Sequence, residues 1–256
     1  MRKLFIAVAF IAGMSLQTGI AHAFVVDGNL SDWGVTPGAW SGPLNARVNS
    51  SDWVPNAGIR STVEDYDPIG NGQVGPGWGG QNFDAEAMYA AYDSTNLYFA
   101  IVTGKNPGIE SNERPGDIAF DFGSNGSYEY GIETVTRGNF TAGNLYAVNT
   151  WKTDPYWGTH TPTEMNTVNR LLGVGSFIYT STSYPGSHYV IEGSIAKSYF
   201  GSDWVSGTPF TMSWTQTCAN DVINLQVTPS PEPMTMTLFG IGLAGLGLIR
   251  RKQYNS

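Results

Sequence analysis

Asp84 and Glu86, two apart in "NFDAEAMY", put two carboxylates on one face of a strand, because side chains alternate along extended chain. Asp117 and Asp121, in "GDIAFDFG", are further acids that a neighbouring strand could align with them. Like charges held together need a cation or raised pKa values. The alternative is separate, solvated carboxylates. A second constellation is aromatic: "NTWKTDPYWGTH" sets Trp151, Tyr156 and Trp157 among polar residues. Sugar rings present apolar C–H faces that stack on such rings, while Asp, Asn or Lys nearby can bond the hydroxyls. Trp53 and Trp78 are second candidates for the same role. The alternative is that these aromatics close the open end of a β-sandwich.

"DGNLSDW", Asp27 to Trp33, has oxygen-bearing side chains at alternate positions, as a calcium loop would. An EF-hand needs Glu at the twelfth position, which here is Gly38. The favoured reading is a turn in which Asp27 and Asp32 cap backbone N–H groups and Trp33 enters the core. Enzyme signatures are missing: the sequence has no G-x-S-x-G elbow, no H-E-x-x-H and no Walker loop. The "DFG" at 121–123 lacks every companion kinase motif. Gly240, Gly242 and Gly245 match a dinucleotide fingerprint, but too few residues follow to build a βαβ unit. A glycosidase pair needs no local motif and stays open as an alternative. His160 and His188 with Met88, Met165 and Met212 offer haem no axial pair fixed by a motif, so haem is not expected. Cys218 is the one cysteine, which excludes an internal disulfide and suggests a buried thiol.

The elements that would position these groups read as strands. The chain has 32 Gly and 13% aromatic residues, a composition of short strands and tight turns. "AEAMYAAYDSTNLYFAIVTG" predicts a hairpin, with strands over 85–92 and 97–103 and a turn over 93–96. "GDIAFDFG" alternates Ile118, Phe120 and Phe122 against Ala119 and Asp121. "FVVDG", "SYEYGIETV", "GNLYAVNTW", "SFIYTSTSY", "HYVIEGSI", "TPFTMSWTQT" and "VINLQV" are further strand signals, each bounded by turn residues. A short helix is expected near 196–200, stopped by Gly201, and long loops over 34–57, 67–82, 104–115 and 152–170. The sum is an all-β fold: one antiparallel β-sandwich, jelly-roll-like, over residues 24–227.

The two ends read differently. Residues 1–23 carry Arg2 and Lys3, an apolar run and the small-residue exit "AHA", the pattern of a signal peptide cleaved after Ala23. Residues 228–256 hold Pro231-Glu232-Pro233, an uncharged stretch from Met234 to Ile249, and Arg250-Arg251-Lys252. That stretch would span about 24 Å as a helix, somewhat less than the ~30 Å hydrocarbon core. Thinning of the bilayer and snorkelling basic residues can make up the difference. Basic residues stay cytoplasmic, which puts the domain outside. Without the five terminal basic residues, eight Lys and Arg face 21 acids, a net charge near −13. Nucleic acid is excluded as a partner on that balance.

The triplet, the apolar segment and the basic end resemble a PEP-CTERM sorting signal. The resemblance implies an exosortase, a membrane cysteine protease, as processing partner, with cleavage near Pro231-Glu232-Pro233. It also implies a bacterium with an outer membrane. The protein would be exported through the inner membrane, transiently anchored, and then placed on the cell surface or in the extracellular matrix of a biofilm. "VVDGNLSDW", "AAYDSTNLYFAIVTG" and "YVIEGSIAKSYFG" resemble the DOMON-like and family 9 carbohydrate-binding-module-like sandwiches. In those relatives calcium has a structural role, which suggests a calcium site built from Asp84, Glu86 and Asp121. The expected function is a non-catalytic polysaccharide-binding module using Trp151, Tyr156 and Trp157. A purely structural matrix protein and a glycan-active enzyme are the alternatives.

Overall fold

The computed structural model describes residues 24–35, 53–64, 81–108, 113–153, 160–182 and 188–229. Expectations for Ala23, for Tyr156, Trp157 and Trp78, and for the sorting residues Pro231, Glu232, Pro233, Arg250, Arg251 and Lys252 fall outside them. Among the described residues no helix is long and apolar enough to cross a membrane.

Eleven strands form two sheets. The first contains β1 (Arg60–Val63), β2 (Ala85–Tyr92), β3 (Asn96–Thr103), β8 (Ser176–Ser181) and β9 (Tyr189–Ala196), in the order β1-β2-β3-β9-β8. The second contains β4 (Ile118–Phe122), β5 (Tyr130–Ile132), β6 (Asn144–Thr153), β7 (Pro162–Val174), β10 (Phe210–Thr215) and β11 (Val222–Val227), in the order β11-β10-β4-β5-β6-β7. Every pairing is antiparallel. The expected β2–β3 hairpin is present, and Asp93 holds its turn by accepting the N–H groups of Thr95 and Asn96, each at 2.7 Å.

Alternation sorts the first sheet into two apolar faces. Met88, Phe99, Ile101 and Ile191 face the second sheet and meet Ile118, Phe120, Met212 and Trp214 in the main core. Ala87, Tyr89, Ala100, Val102 and Val190 point the other way, against Leu30, Trp33 and Trp53. Burying both faces explains why these strands read as nearly continuous apolar runs. "FVVDG", expected as a strand, is instead part of an irregular segment closing the outer face of that sheet.

The second sheet departs from expectation at 152–170. Most of that stretch, expected as a loop, is strand: β6 runs to Thr153 and β7 starts at Pro162. Five register shifts interrupt the β6–β7 pairing. Such irregularities break the period-two pattern and bend the ribbon. Its far end crosses β5, where a Cβ on Gly131 would stand 2.7 Å from both Trp151 Cη2 and Met165 Sδ. It ends against the start of β4, with Asp117 N–H donating to Thr163 O at 2.8 Å.

The expected helix near 196–200 is a 3-10 turn, Lys197–Phe200. Gly201 caps its end as expected, its N–H donating to Ser198 O. At φ +57° it redirects the backbone into α1 (Ser202–Val205), a single turn. Glycine adopts that conformation without a Cβ clash.

Candidate functional site

A cleft of about 470 Å³ opens where the 126–130 segment, β6 and the start of β7 meet. Tyr128, Glu129, Asn149, Trp151, His160 and Asn169 are on its wall. Trp151 is the fixed ring of this set. Its indole N–H donates to Tyr128 O at 2.8 Å, and the Tyr128 ring stands 6.4 Å away at 70°. Gly131 makes the fit possible, since any side chain there would meet the indole edge. Trp151 remains half-buried, not sealed into the core.

Polar groups surround that ring. Asn149 and Asn169 bring carboxamides, and His160, at φ +52°, holds a backbone conformation that non-glycine residues seldom adopt. Glu129 accepts the Phe122 N–H at 2.9 Å, and burial raises its pKa. Burial likewise raises the Tyr128 hydroxyl, which stays protonated at neutral pH, while the Tyr130 hydroxyl is committed to Asp203 Oδ2 at 2.6 Å. A half-buried aromatic ring among amides, hydroxyls and one carboxylate suits a neutral, hydroxyl-rich ring compound. Tyr156 and Trp157 belong to the stretch between Thr153 and His160, outside the described residues.

The acids expected to hold calcium do not come together. Asp121 accepts the N–H groups of Asn125 at 2.9 Å and Gly126 at 2.7 Å, holding the turn after β4. Glu86 Oε1 is 2.6 Å from His188 Nε2, buried on the outer face of the first sheet. Asp84 is buried just before β2, after the 3-10 turn Gln81–Phe83, and its backbone oxygen accepts from Thr103 Oγ1 at 2.6 Å. Among the described residues no group of three or more His, Cys, Asp or Glu could hold a metal ion. Alternation along one strand was the signal for the pair, but Asp121 belongs to the other sheet. Trp53, a second candidate for sugar stacking, is fully buried against His188, with ring centroids 5.2 Å apart.

The favoured reading of "DGNLSDW" does hold. Asp27 Oδ1 accepts the Asn29 N–H and Asp32 Oδ2 the Val25 N–H, each at 2.8 Å, and Trp33 is fully buried. Cys218 is partly buried, and burial pushes its thiol up to about 11.

Sequence reasoning missed an ionic cluster beneath the bent β6–β7 ribbon. Arg137 Nη2 is 2.7 Å from Asp117 Oδ2, and Arg137 Nε is 3.1 Å from Glu133 Oε1. Glu164 receives Arg114, Lys152 at 3.0 Å and Arg137 at 3.6 Å. Burial, then the charge of Asp117, pushes Glu133 up to about 9. Burial also raises Asp117, against the opposing charge of Arg137. The members come from separate strands and turns with no common spacing; the nearest signal was Glu133 and Arg137 four apart.

Comparison with known proteins gives no match: no family model, no curated protein and no solved structure matches this chain.

Proposed function

We propose that this chain is an exported surface or extracellular-matrix protein, processed at its C-terminal tail by an exosortase, whose sandwich is a non-catalytic polysaccharide-binding module. The observation that carries the binding reading is the cleft walled by half-buried Trp151, with amides and hydroxyls beside it. The sorting and export parts rest on the terminal motifs of the sequence, from Ala23 to the Pro231-Glu232-Pro233 triplet and the basic end. Tyr156 and Trp157 remain part of the proposed platform on sequence grounds.

A glycosidase reading has less support. Asp117 and Glu133 form a close carboxyl pair, but each is 1% exposed and both are bound to Arg137. Groups so engaged anchor the ribbon and do not reach a glycosidic bond in the cleft. The reading calls on no calcium site, since Glu86 pairs with His188 and Asp121 holds the N–H groups of Asn125 and Gly126.

The test is a glycan panel probed with the purified full chain in mild detergent, alongside Trp151→Ala and Trp157→Ala. Binding lost in Trp151→Ala, with the β-sheet fold retained by circular dichroism, is the expected result. A full chain that binds no glycan moves the assignment to the structural matrix protein.

A further inference from the structure

A groove of about 500 Å³ opens among the described residues on the other flank of the β6–β7 ribbon. Arg114, Arg137 and Lys152 line it, together with Phe140, Tyr146 and Asn166. Between the two terminal segments the chain has eight Lys and Arg residues, and three of them converge here. In a domain near −13 overall, that convergence runs against the charge of the whole molecule.

The carboxylates behind the groove do not balance it. Glu164 is shared by all three cations, and Asp117 bonds Arg137. Glu133 is the third acid, and its proton leaves two negative charges against three positive ones. The unbalanced charge is on the open side: the Lys152 side chain is 51% exposed and that of Arg114 31%, while Glu164 is 5% exposed. An apolar wall stands beside these cations. Phe140 and Tyr146 meet edge to face at 5.4 Å, and the Arg137 guanidinium packs over Phe140 at 4.7 Å.

We propose that this groove is a subsite for the acidic group of an anionic polysaccharide, a uronate carboxylate or a sulfate ester carried on a sugar ring. The sugar packs beside Phe140, which the buried Tyr146 ring backs edge to face, and its anionic group reaches Lys152 and Arg114. Trp151 and Lys152 are consecutive residues of β6, so the aromatic cleft and the cationic groove adjoin across one ribbon. The inference rests on the polysaccharide reading above and names the charge class of its ligand.

The experiment titrates the full chain in mild detergent with four probes: oligogalacturonate, a sulfated galactan, neutral galactan and polyglutamate. The expected result is tighter binding of one or both acidic glycans than of neutral galactan, with polyglutamate weak. Lys152→Gln should lower acidic-glycan affinity roughly tenfold, the value of one charge-assisted hydrogen bond, and leave neutral-galactan binding unchanged. Lys152→Arg should restore it. Preference for oligogalacturonate assigns a carboxylate subsite, and preference for the sulfated polymer a sulfate subsite. Equal affinity for acidic and neutral galactans overturns the subsite while the glycan-binding reading stands. Polyglutamate binding as tightly as the acidic glycans also overturns it, because charge alone would then suffice. Failure of all four probes overturns both readings.

Discussion

The indole N–H of Trp33 donates to Glu192 Oε1 at 2.8 Å, across 159 residues of chain. The other oxygen of Glu192 accepts the backbone N–H groups of Asp27 at 3.0 Å and Gly28 at 2.8 Å. One fully buried carboxylate on β9 therefore satisfies three donors of the N-terminal segment. Burial raises the Glu192 pKa, and the bonds from Trp33, Gly28 and Asp27 oppose that shift. The acid at the centre of "VIEGSI" is thus the receptor for the "DGNLSDW" turn.

Replacing Glu192 by Ala should leave those three donors buried without an acceptor. Each unsatisfied donor costs about 1–3 kcal/mol, so a loss of roughly 3 kcal/mol or more is expected in urea unfolding. Glu192→Gln should cost less, because its carbonyl oxygen can still accept. A change within about 0.5 kcal/mol for Glu192→Ala, the size of an ordinary surface substitution, would count against this role.

Stability should fall as pH rises from about 4.5 to about 9. Glu133 is raised from 4.5 to about 9 in the fold, so between those values the unfolded chain loses its proton and the folded chain keeps it. The native state then binds more protons, and ΔG of unfolding falls with pH by up to about 1.4 kcal/mol per unit. Glu64, pushed up to about 7 by burial, adds to the lower part of that window. Glu133→Gln should flatten the decline between about pH 7 and 9 and make it shallower below 7, where the share of Glu64 remains. An unchanged slope above pH 7 in the variant would show that Glu133 is not the group responsible.

On the proposed polysaccharide reading, Gly131→Ala should weaken glycan binding through Trp151. The added methyl would stand 2.7 Å from the indole edge, closer than atoms pack, and the rigid ring cannot yield as the Met165 thioether can. The expected outcome is reduced affinity together with a shifted tryptophan emission. Wild-type affinity with altered emission would detach the Trp151 ring from binding.

The legible parts of the fold are those where local pattern and tertiary placement agree. The β2–β3 hairpin was readable because Asp93 and Asn96 mark its turn and the flanking strands are long. The role of Trp33 was readable because Asp27 and Asp32 cap nearby backbone within the same turn. By contrast, β7 reads as loop because its register shifts against β6 destroy the alternation, leaving Glu164 and Met165 buried side by side. Trp53 reads as an exposed binding residue since nothing local announces its neighbours His188 and Tyr89; the Tyr89 hydroxyl donates to Trp53 O at 2.6 Å. The cationic groove was hidden for the same reason: its three cations span 38 positions of the sequence, from Arg114 to Lys152, and meet only after the ribbon bends.

Arg137 ties the bent ribbon to its neighbours, and its removal gives the sharpest test of the ribbon as a docked layer. The guanidinium joins Asp117 and Glu133 to Glu164 of β7, and it also donates to Met165 O at 3.0 Å. Met165 N–H returns a bond to Asp117 Oδ2 at 2.8 Å, so Asp117 ties β7 to β4 directly. In Arg137→Met, Asp117 and Glu164 lose their shared cation while still buried. Breaking a buried pair on one side costs about 3–5 kcal/mol. The chain can avoid part of that by releasing the ribbon so that water reaches the carboxylates. Amide exchange should therefore quicken first at Met165 and Asp117, whose N–H groups bond across the seam, and much less in β3 and β9 of the other sheet. Adding Asp117→Asn should recover part of the loss, because the amide oxygen can still accept from Met165 and no longer has a charge to bury. Uniform acceleration throughout the molecule would mean that the ribbon and the two sheets unfold as one unit, and the docked-layer description would then be wrong.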